Sequence, residues 1–373
     1  MKAVPDLNFI TDSDMKTIIN SRGILFLHSN KLSHSTFPVR VSFYLLFLSL
    51  PALIYGCSKL EAPDSKSVPP TASEEKEVKS TMRIDGNLIC LDIFSFNDDE
   101  MERLDSYQRF EEGQFWENTC KIGTSAGRKR LVILANMPFS KYEWVDINCC
   151  KALEKRRFEL ENEDPDFPLM ASDIKIEAGT PLRPQMEALT GEVVLRSLRC
   201  DFLGRDYYGE TLTDVKLYLT NVNASCGIWE KEDGAPSRII NSGRLNMNDV
   251  NKFKFPELVY RSLESAIGIK QVDLNTRLRA FENYHEEESI GTPFTKLVIE
   301  GKIGGKTYYY PIAINRGPGT EDSGLHRNTR YIYDITITRT GLTDPDGIIQ
   351  ETNAKIDMEI ETWREKDWYD VRF

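Results

Sequence analysis

Apolar residues in this chain recur with a period of two, and that constrains its fold more than any other feature. Tyr331, Tyr333, Ile335 and Ile337 alternate with Ile332, Asp334, Thr336 and Thr338, and Ile356, Met358 and Ile360 alternate with Asp357, Glu359 and Glu361. Val215, Leu217 and Leu219 repeat the pattern. Successive side chains of a strand point to opposite faces, so such segments bury one face against a second layer. Residues 297–299, a glycine-rich turn at 301–305 and the return over 307–315 read as a hairpin. Upstream, 88–96, 130–136 and 192–202 read as further strands, with turn formers after the first at Asn97-Asp98-Asp99. Ser140 and Glu143 have capping-box spacing, which predicts a helix over 141–161, and one or two short helices are expected near 256–266. Short strands, frequent turn signals and few helices predict an all-β chain of two β-sandwich domains. The expected second core includes Leu217, Leu219, Ile335, Ile337, Met358 and Ile360.

A second feature lies near the start. Residues 41–57 read VSFYLLFLSLPALIYGC, with Lys31 and Arg40 upstream. An apolar run of roughly 12–17 residues is short for a membrane span and suits a signal-peptide core. Its end, Ile54-Tyr55-Gly56-Cys57, resembles a bacterial lipobox, in which the cysteine is acylated and becomes the first mature residue. Residues 1–56 are therefore expected to be a signal peptide with an over-extended start, translation beginning near Val39 or Val41. Residues 58–80 (SKLEAPDSKSVPPTASEEKEVKS) hold almost no large apolar side chain, so they cannot offset the entropy of ordering. The expected division is leader 1–56, flexible lipid tether 57–81, first sandwich 82–190 and second sandwich 191–373, with a turn-rich joint near Leu189-Thr190-Gly191.

Composition narrows the function. The chain of 373 residues has 47 Lys+Arg against 58 Asp+Glu and a net charge of −11. A negative chain repels phosphate backbones, which disfavours nucleic acid as a partner. Of four histidines, only His285 and His326 follow Cys57, and His285 sits in an acidic stretch expected to be a solvated loop. No HExxH, CxxC, GxSxG or Walker pattern occurs, so no catalytic residue, metal ligand or cofactor is expected. Acidic groups at Glu286, Glu287 and Glu288 or at Asp344 and Asp346 have no spacing that defines a carboxylate pair. Six cysteines besides Cys57 permit disulfides in an exported protein, and at most one or two bridges are expected.

Three blocks then carry a likeness. The first is 88–96 followed by Ser125-Ala126-Gly127-Arg128-Lys129-Arg130-Leu131-Val132-Ile133-Leu134-Ala135-Asn136. The second is Leu217-Tyr218-Leu219-Thr220-Asn221-Val222. The third is Gly305-Lys306-Thr307-Tyr308-Tyr309-Tyr310-Pro311, then His326-Arg327-Asn328-Thr329-Arg330-Tyr331, then Asp334-Ile335-Thr336-Ile337-Thr338, with Trp363 beyond. In this order, and behind a lipobox, they resemble the fimbrillins, lipoprotein subunits of type V pili in Gram-negative anaerobes. The likeness is scattered over about 82–373. Read by themselves, Arg128-Lys129-Arg130 is a solvated turn, Arg327-Asn328 a turn with asparagine at positive φ, and the tyrosines an aromatic strand.

The resemblance implies two transthyretin-like sandwiches and a structural role, not an enzyme. It implies other pilus subunits as partners through strand addition, the outer membrane as a partner through lipid, a host or bacterial surface ligand, and a location at the cell outer membrane and fimbrium. Stalk fimbrillins carry an extra strand ahead of the first block that an arginine-specific protease removes. Here 58–80 does not read as such a strand. A cut at Arg83 is expected to vacate nothing, so an anchor or accessory subunit is favoured. The candidate donor strand is the chain end, where Trp368 precedes Tyr369, Val371 and Phe373 on one side, with Asp370 and Arg372 on the other; the same strand could instead complete its own sheet, paired with 354–363 as a hairpin. The alternative is a surface glycan-binding lipoprotein using its five tryptophans as stacking platforms.

Overall fold

The computed structural model describes residues 19–20, 23–24, 77–84, 87–115, 119–139, 141–317, 322–347, 349 and 353–362. The chain divides into two compact units, 1–70 and 71–373. In the first, Ile19–Asn20 pairs antiparallel with Gly23–Ile24. The lipobox cysteine Cys57, Ser140 and the terminal residues Trp363, Trp368, Tyr369, Val371 and Phe373 lie outside the described residues. All further elements belong to the second unit, which is all-β with two short α-helices among the described residues.

Its strands are β1 (Val78–Arg83), β2 (Cys90–Asn97), β3 (Leu104–Glu111), β4 (Thr119–Thr124), β5 (Arg128–Ala135), β6 (Met170–Glu177), β7 (Thr190–Cys200), β8 (Thr213–Thr220), β9 (Val272–Phe281), β10 (Lys296–Ile303), β11 (Lys306–Ala313), β12 (Thr329–Ile337) and β13 (Ala354–Thr362). Two-residue and three-residue strands supplement them, among them Glu187–Ala188 and Tyr260–Ser262.

In the first half, Glu187–Ala188, β6, β5, β2 and β3 form one antiparallel sheet, and β1 pairs with β4 as a separate ladder. The sheet is covered on both faces. Leu91, Ile93, Leu131 and Ile133 pack with Met82, Ile84, Cys120 and Ile122 of the ladder and its edge. Phe94, Phe96, Val132 and Leu134 point the other way and join the largest core. Two-sided burial explains why β2 and β5 read as nearly continuous apolar runs rather than alternating ones.

In the second half, β9-β7-β12-β13 form one four-stranded sheet, and Tyr260–Ser262, β8, β10 and β11 form the other. β7 and β12 run parallel, with Val193 opposite Tyr331 and Leu195 opposite Tyr333, while β9 and β13 flank them antiparallel. Leu195, Leu198, Tyr333, Ile335 and Ile337 of one sheet share a buried core with Leu217, Leu219, Leu297 and Ile299 of the other. The hairpin forms, but its turn is confined to Gly304 and Gly305, with φ of 56° and 80°, values open to glycine without steric cost; Gly301, expected in the turn, lies in β10 opposite Tyr308.

Several expectations need correction. Met358 and Ile360 are not in the core: they are 38% and 49% exposed, whereas Leu217, Leu219, Ile335 and Ile337 are buried. Their register is nonetheless the core register, because Met358 is paired with buried Tyr333 and Ile360 with buried Tyr331. Side chains of directly opposed residues project to one face, so β13 presents a core face that no described layer covers. No continuous helix spans 141–161. A 3-10 turn at Lys141–Trp144 and α1 (Cys150–Glu154) stand there instead. Its buried residues Trp144, Ile147, Cys150 and Leu153 recur every third position, a spacing that eclipses in a 3-10 turn and drifts off one face of an α-helix. Gly191 is not in a turn but inside β7, where an added Cβ would lie 2.5 Å from the His326 carbonyl oxygen. The six cysteines from Cys90 to Cys226 are free thiols, and burial raises five of them, Cys120 to about 11 and Cys200 to about 12. His285 is buried rather than solvated, and burial lowers its pKa.

The contrast between buried and uncovered residues of one face is measurable. Ile335→Ala is expected to cost about 2–5 kcal/mol in denaturant titrations, while Ile360→Ala costs no more than about 1 kcal/mol.

Candidate assembly surfaces

Two places in the fold can engage an extended chain. The first is the side of the second sandwich where β11 and β13 are the end strands of their sheets. Between them runs an apolar groove of about 790 Å³ lined by Pro311, Ile312, Tyr333, Ile349, Ile356 and Met358, with Lys296 and Arg316 at its rim. A sandwich normally buries such residues, so a strand laid here would both hydrogen-bond an end strand and cover the floor.

The second place is β1. It starts at Val78, so residues 78–81, expected in the tether, belong to a strand. Ser80 and Met82 are fully buried in alternation with exposed Lys79, Thr81 and Arg83, and Ile84 is buried beyond them. Each residue from Val78 to Arg83 pairs with β4, Arg83 opposite Thr119, and the Arg83 amide donates to Leu182 O at 3.0 Å. The expectation that a cut at Arg83 vacates nothing is therefore overturned: the segment before it fills part of a core with Met82. Only Val78 and Met82 are large and apolar in β1, and that sparseness is why the sequence reads as tether.

The motif residues turn out to be structural. Arg128 is exposed, but Lys129 is buried and donates to Asn97 Oδ1 and Ser125 Oγ, both at 2.6 Å, with Asp105 at 3.3 Å. Arg130 pairs with Glu102 and Asp173 at 2.6 Å. The run is thus not a solvated turn beyond its first residue. Asn136, at φ 61°, accepts from Ile89 N and donates to Asn87 O and Pro168 O. Asn328 does take positive φ, 53°, and accepts from Ala188 N. The tyrosines pin loops: Tyr310 donates to Arg339 O at 2.8 Å, and Tyr331 accepts from His326 N at 3.0 Å.

A second, polar groove of about 580 Å³ is lined by Arg196, Arg199, Asp273, Asp334, Lys355 and Asp357 and has no apolar floor for a strand to cover. Asp92 is buried with its pKa raised by burial, and Tyr107 and Arg109 satisfy it at 2.7 and 2.8 Å. Among the described residues no group of three or more His, Cys, Asp or Glu is placed to hold a metal. Trp144 packs edge-on to Phe94 in the core, and Trp229 lies under Arg130 and donates to Asp173, so neither presents an open stacking face.

Comparison with known proteins adds to this geometry. No protein-family model and no curated protein matches the chain. Solved structures do. A structure from Bacteroides eggerthii described as a cell adhesion protein matches with a TM-score of 0.60 at 12% identity, covering 77% of this chain and 96% of that one. A second so described, from Parabacteroides distasonis, gives 0.58 at 15%, covering 78% and 97%. A fimbrilin from Porphyromonas gingivalis gives 0.53 at 13%, covering 77% and 97%. The chain has the fimbrillin fold.

Met82→Ala is expected to lower stability by about 2–5 kcal/mol in thermal or denaturant melts, because its buried side chain is what seats β1. Thr81→Ala, on the exposed face of the same strand, is expected to stay within about 0.5 kcal/mol of the parent.

Proposed function

We propose that this chain is a structural, non-enzymatic subunit of a surface pilus, lipid-anchored at Cys57, and joined to its neighbours by strand addition. One observation carries the reading: Met358 and Ile360 stand in core register on β13 yet are exposed, with no described layer over them, beside an apolar groove lined in part by Ile356 and Met358. The fimbrillin fold and the adhesion and fimbrial descriptions of its structural neighbours support it. The donor is the segment 368–373 of an adjoining subunit, with Tyr369, Val371 and Phe373 as the side chains that set register. Cleavage after Arg83 would release Val78–Arg83 from β4 and open a second groove at Met82, which moves the reading from a permanent anchor toward a processed subunit. The division into sandwiches over 82–190 and 191–373, the outer-membrane location and a surface ligand for adhesion belong to the same proposal.

The test is made on cells. Met358→Asp places a charge on the uncovered face, and its monomer is expected to melt within a few degrees of the parent while incorporation into pili is lost. Deletion of 363–373 is expected to give the same result. Normal pili from Met358→Asp would overturn the groove as the assembly site. For the anchor, Cys57→Ser is expected to lose both palmitate label and partition into membranes.

A further inference from the structure

The outer face of the β9-β7-β12-β13 sheet carries a row of alternating charge at a single level. Arg279 is paired in register with Glu192, Glu192 with Arg330, and Arg330 with Glu361, so the row crosses all four strands. Glu192 accepts from Arg330 Nε at 2.7 Å and from Arg279 at 3.4 Å, and Arg330 reaches Glu361 at 3.6 Å. At its buried end the row is extended by a residue from elsewhere in the chain. Glu163 follows the 3-10 turn Leu160–Asn162, in the connection between α1 and β6, and stands 3.4 Å from Arg279.

That connection straps the two halves together. Its Phe158–Glu159 pairs with Ser225–Cys226, Leu160 N donates to Ala224 O, and Lys254 N donates to Glu161 O. Arg238 binds Glu159 and Glu161, and Arg279 donates to Pro165 O at 3.0 Å and Asp164 O at 3.3 Å. Arg279 therefore serves the strap's backbone as well as two carboxylates. Of the two fully buried acids of the row, Glu163 is held less closely than Glu192, whose nearest guanidinium contact is 2.7 Å against 3.4 Å for Glu163. It is fully buried, Thr190 Oγ1 donates to its Oε1 at 3.2 Å, and its Oε2 meets no hydrogen-bond donor among the described residues. It also faces the like charge of Glu192 across the shared guanidinium. Five alternating charges beginning and ending on a carboxylate carry one excess negative charge, and Glu163 is the member with least to lose by taking a proton.

We propose that the Glu163–Arg279–Glu192 cluster is a proton-controlled clasp, which holds the 158–168 strap on the second sandwich more firmly once it has taken up one proton. With Glu163 neutral, Arg279 is free to satisfy Glu192 and the strap carbonyls without competition. The groups that face Glu163 are Arg279 of β9, Glu192 and Thr190 of β7, and the Cys226 thiol. On its own segment Asp164 is drawn away by Lys254 at 3.8 Å. Burial pushes Glu163 up from the ordinary 4.5 to about 7, so the clasp works between neutral and mildly acidic pH. The sign follows from linkage. A carboxyl raised on folding binds more protons folded than unfolded across that interval. Its contribution is full below 4.5 and is lost as pH rises through about 7. Buried His285, lowered on folding, acts with the opposite sign and is removed by comparing variants.

The experiment is a series of thermal melts of the full chain from pH 5 to 8, for the parent and for Glu163→Gln, which mimics the neutral clasp. The parent is expected to lose several degrees relative to Glu163→Gln as pH rises from 5 to about 7, and to change little relative to it between 7 and 8. A difference that stays constant over the whole range overturns the proposal. Should Glu163→Gln not fold, carbon-13 spectra of glutamate-labelled parent protein decide. One buried side-chain carboxyl titrating with a midpoint near 7 supports the clasp, and no glutamate titrating above about pH 6 overturns it.

Discussion

The parallel pairing of β7 with β12 is the constraint on which the second half of the molecule rests. The two strands are about 130 residues apart in sequence, and the chain between them has to supply the whole opposing sheet before it can return. That loop-closing cost is met by burial. β7 is flanked on both sides, and its Val193, Leu195 and Leu198 are buried together with Tyr331, Tyr333 and Ile335. The close approach has a local requirement too, since any side chain at position 191 would strike the His326 carbonyl. With β7 and β12 at the centre, β9 and β13 are the outer strands of the described sheet, and β13 passes from buried Ala354 to exposed Met358 and Ile360 along its inner face.

The first half solves the same problem differently. Its five-stranded sheet is sandwiched between the main core and the β1–β4 ladder, so its central strands are apolar on both faces. The ladder is a thin layer, and β1 contributes to it mainly through Met82 and the following Ile84. A strand held by so few buried groups is easier to displace than a central strand, because the open-state free energy scales with the apolar area it seats. Thin cover over one core and, among the described residues, exposed core-register side chains on β13 are the two features on which the proposed strand addition rests.

The charged residues have a consistent place in this scheme. Lys129, Arg130, Arg279 and Arg327 are each buried or nearly so, and each meets carboxylates or carbonyls at the seams between layers or between halves. Such groups add little net stability compared with apolar residues of equal volume, but removing one partner leaves a buried charge. They therefore fix register and orientation where apolar packing alone would tolerate sliding. In sequence Lys129, Arg130 and Arg327 looked like surface turns, because a lysine or arginine inside a polar run carries no mark of the acid that will meet it.

What the sequence alone determined is the alternation of the strands around Leu217, Ile335 and Met358, a hairpin turn within 301–305 and the all-β class. These depend on local geometry: alternate side chains, and glycine or asparagine where φ is positive. The face that Ile356, Met358 and Ile360 share with the core was legible for the same reason. Only the tertiary structure decided whether that face is covered, since cover comes from a different part of the chain or from a different molecule. It also decided that Val78–Arg83 is a strand, because its partner β4 and the pocket for Met82 lie some 40 residues away and outweigh a weak local pattern. Likewise the meeting of Glu163 with Arg279 and Glu192 joins three distant segments, and burial at that meeting, not any local motif, sets the chemistry of the carboxyl.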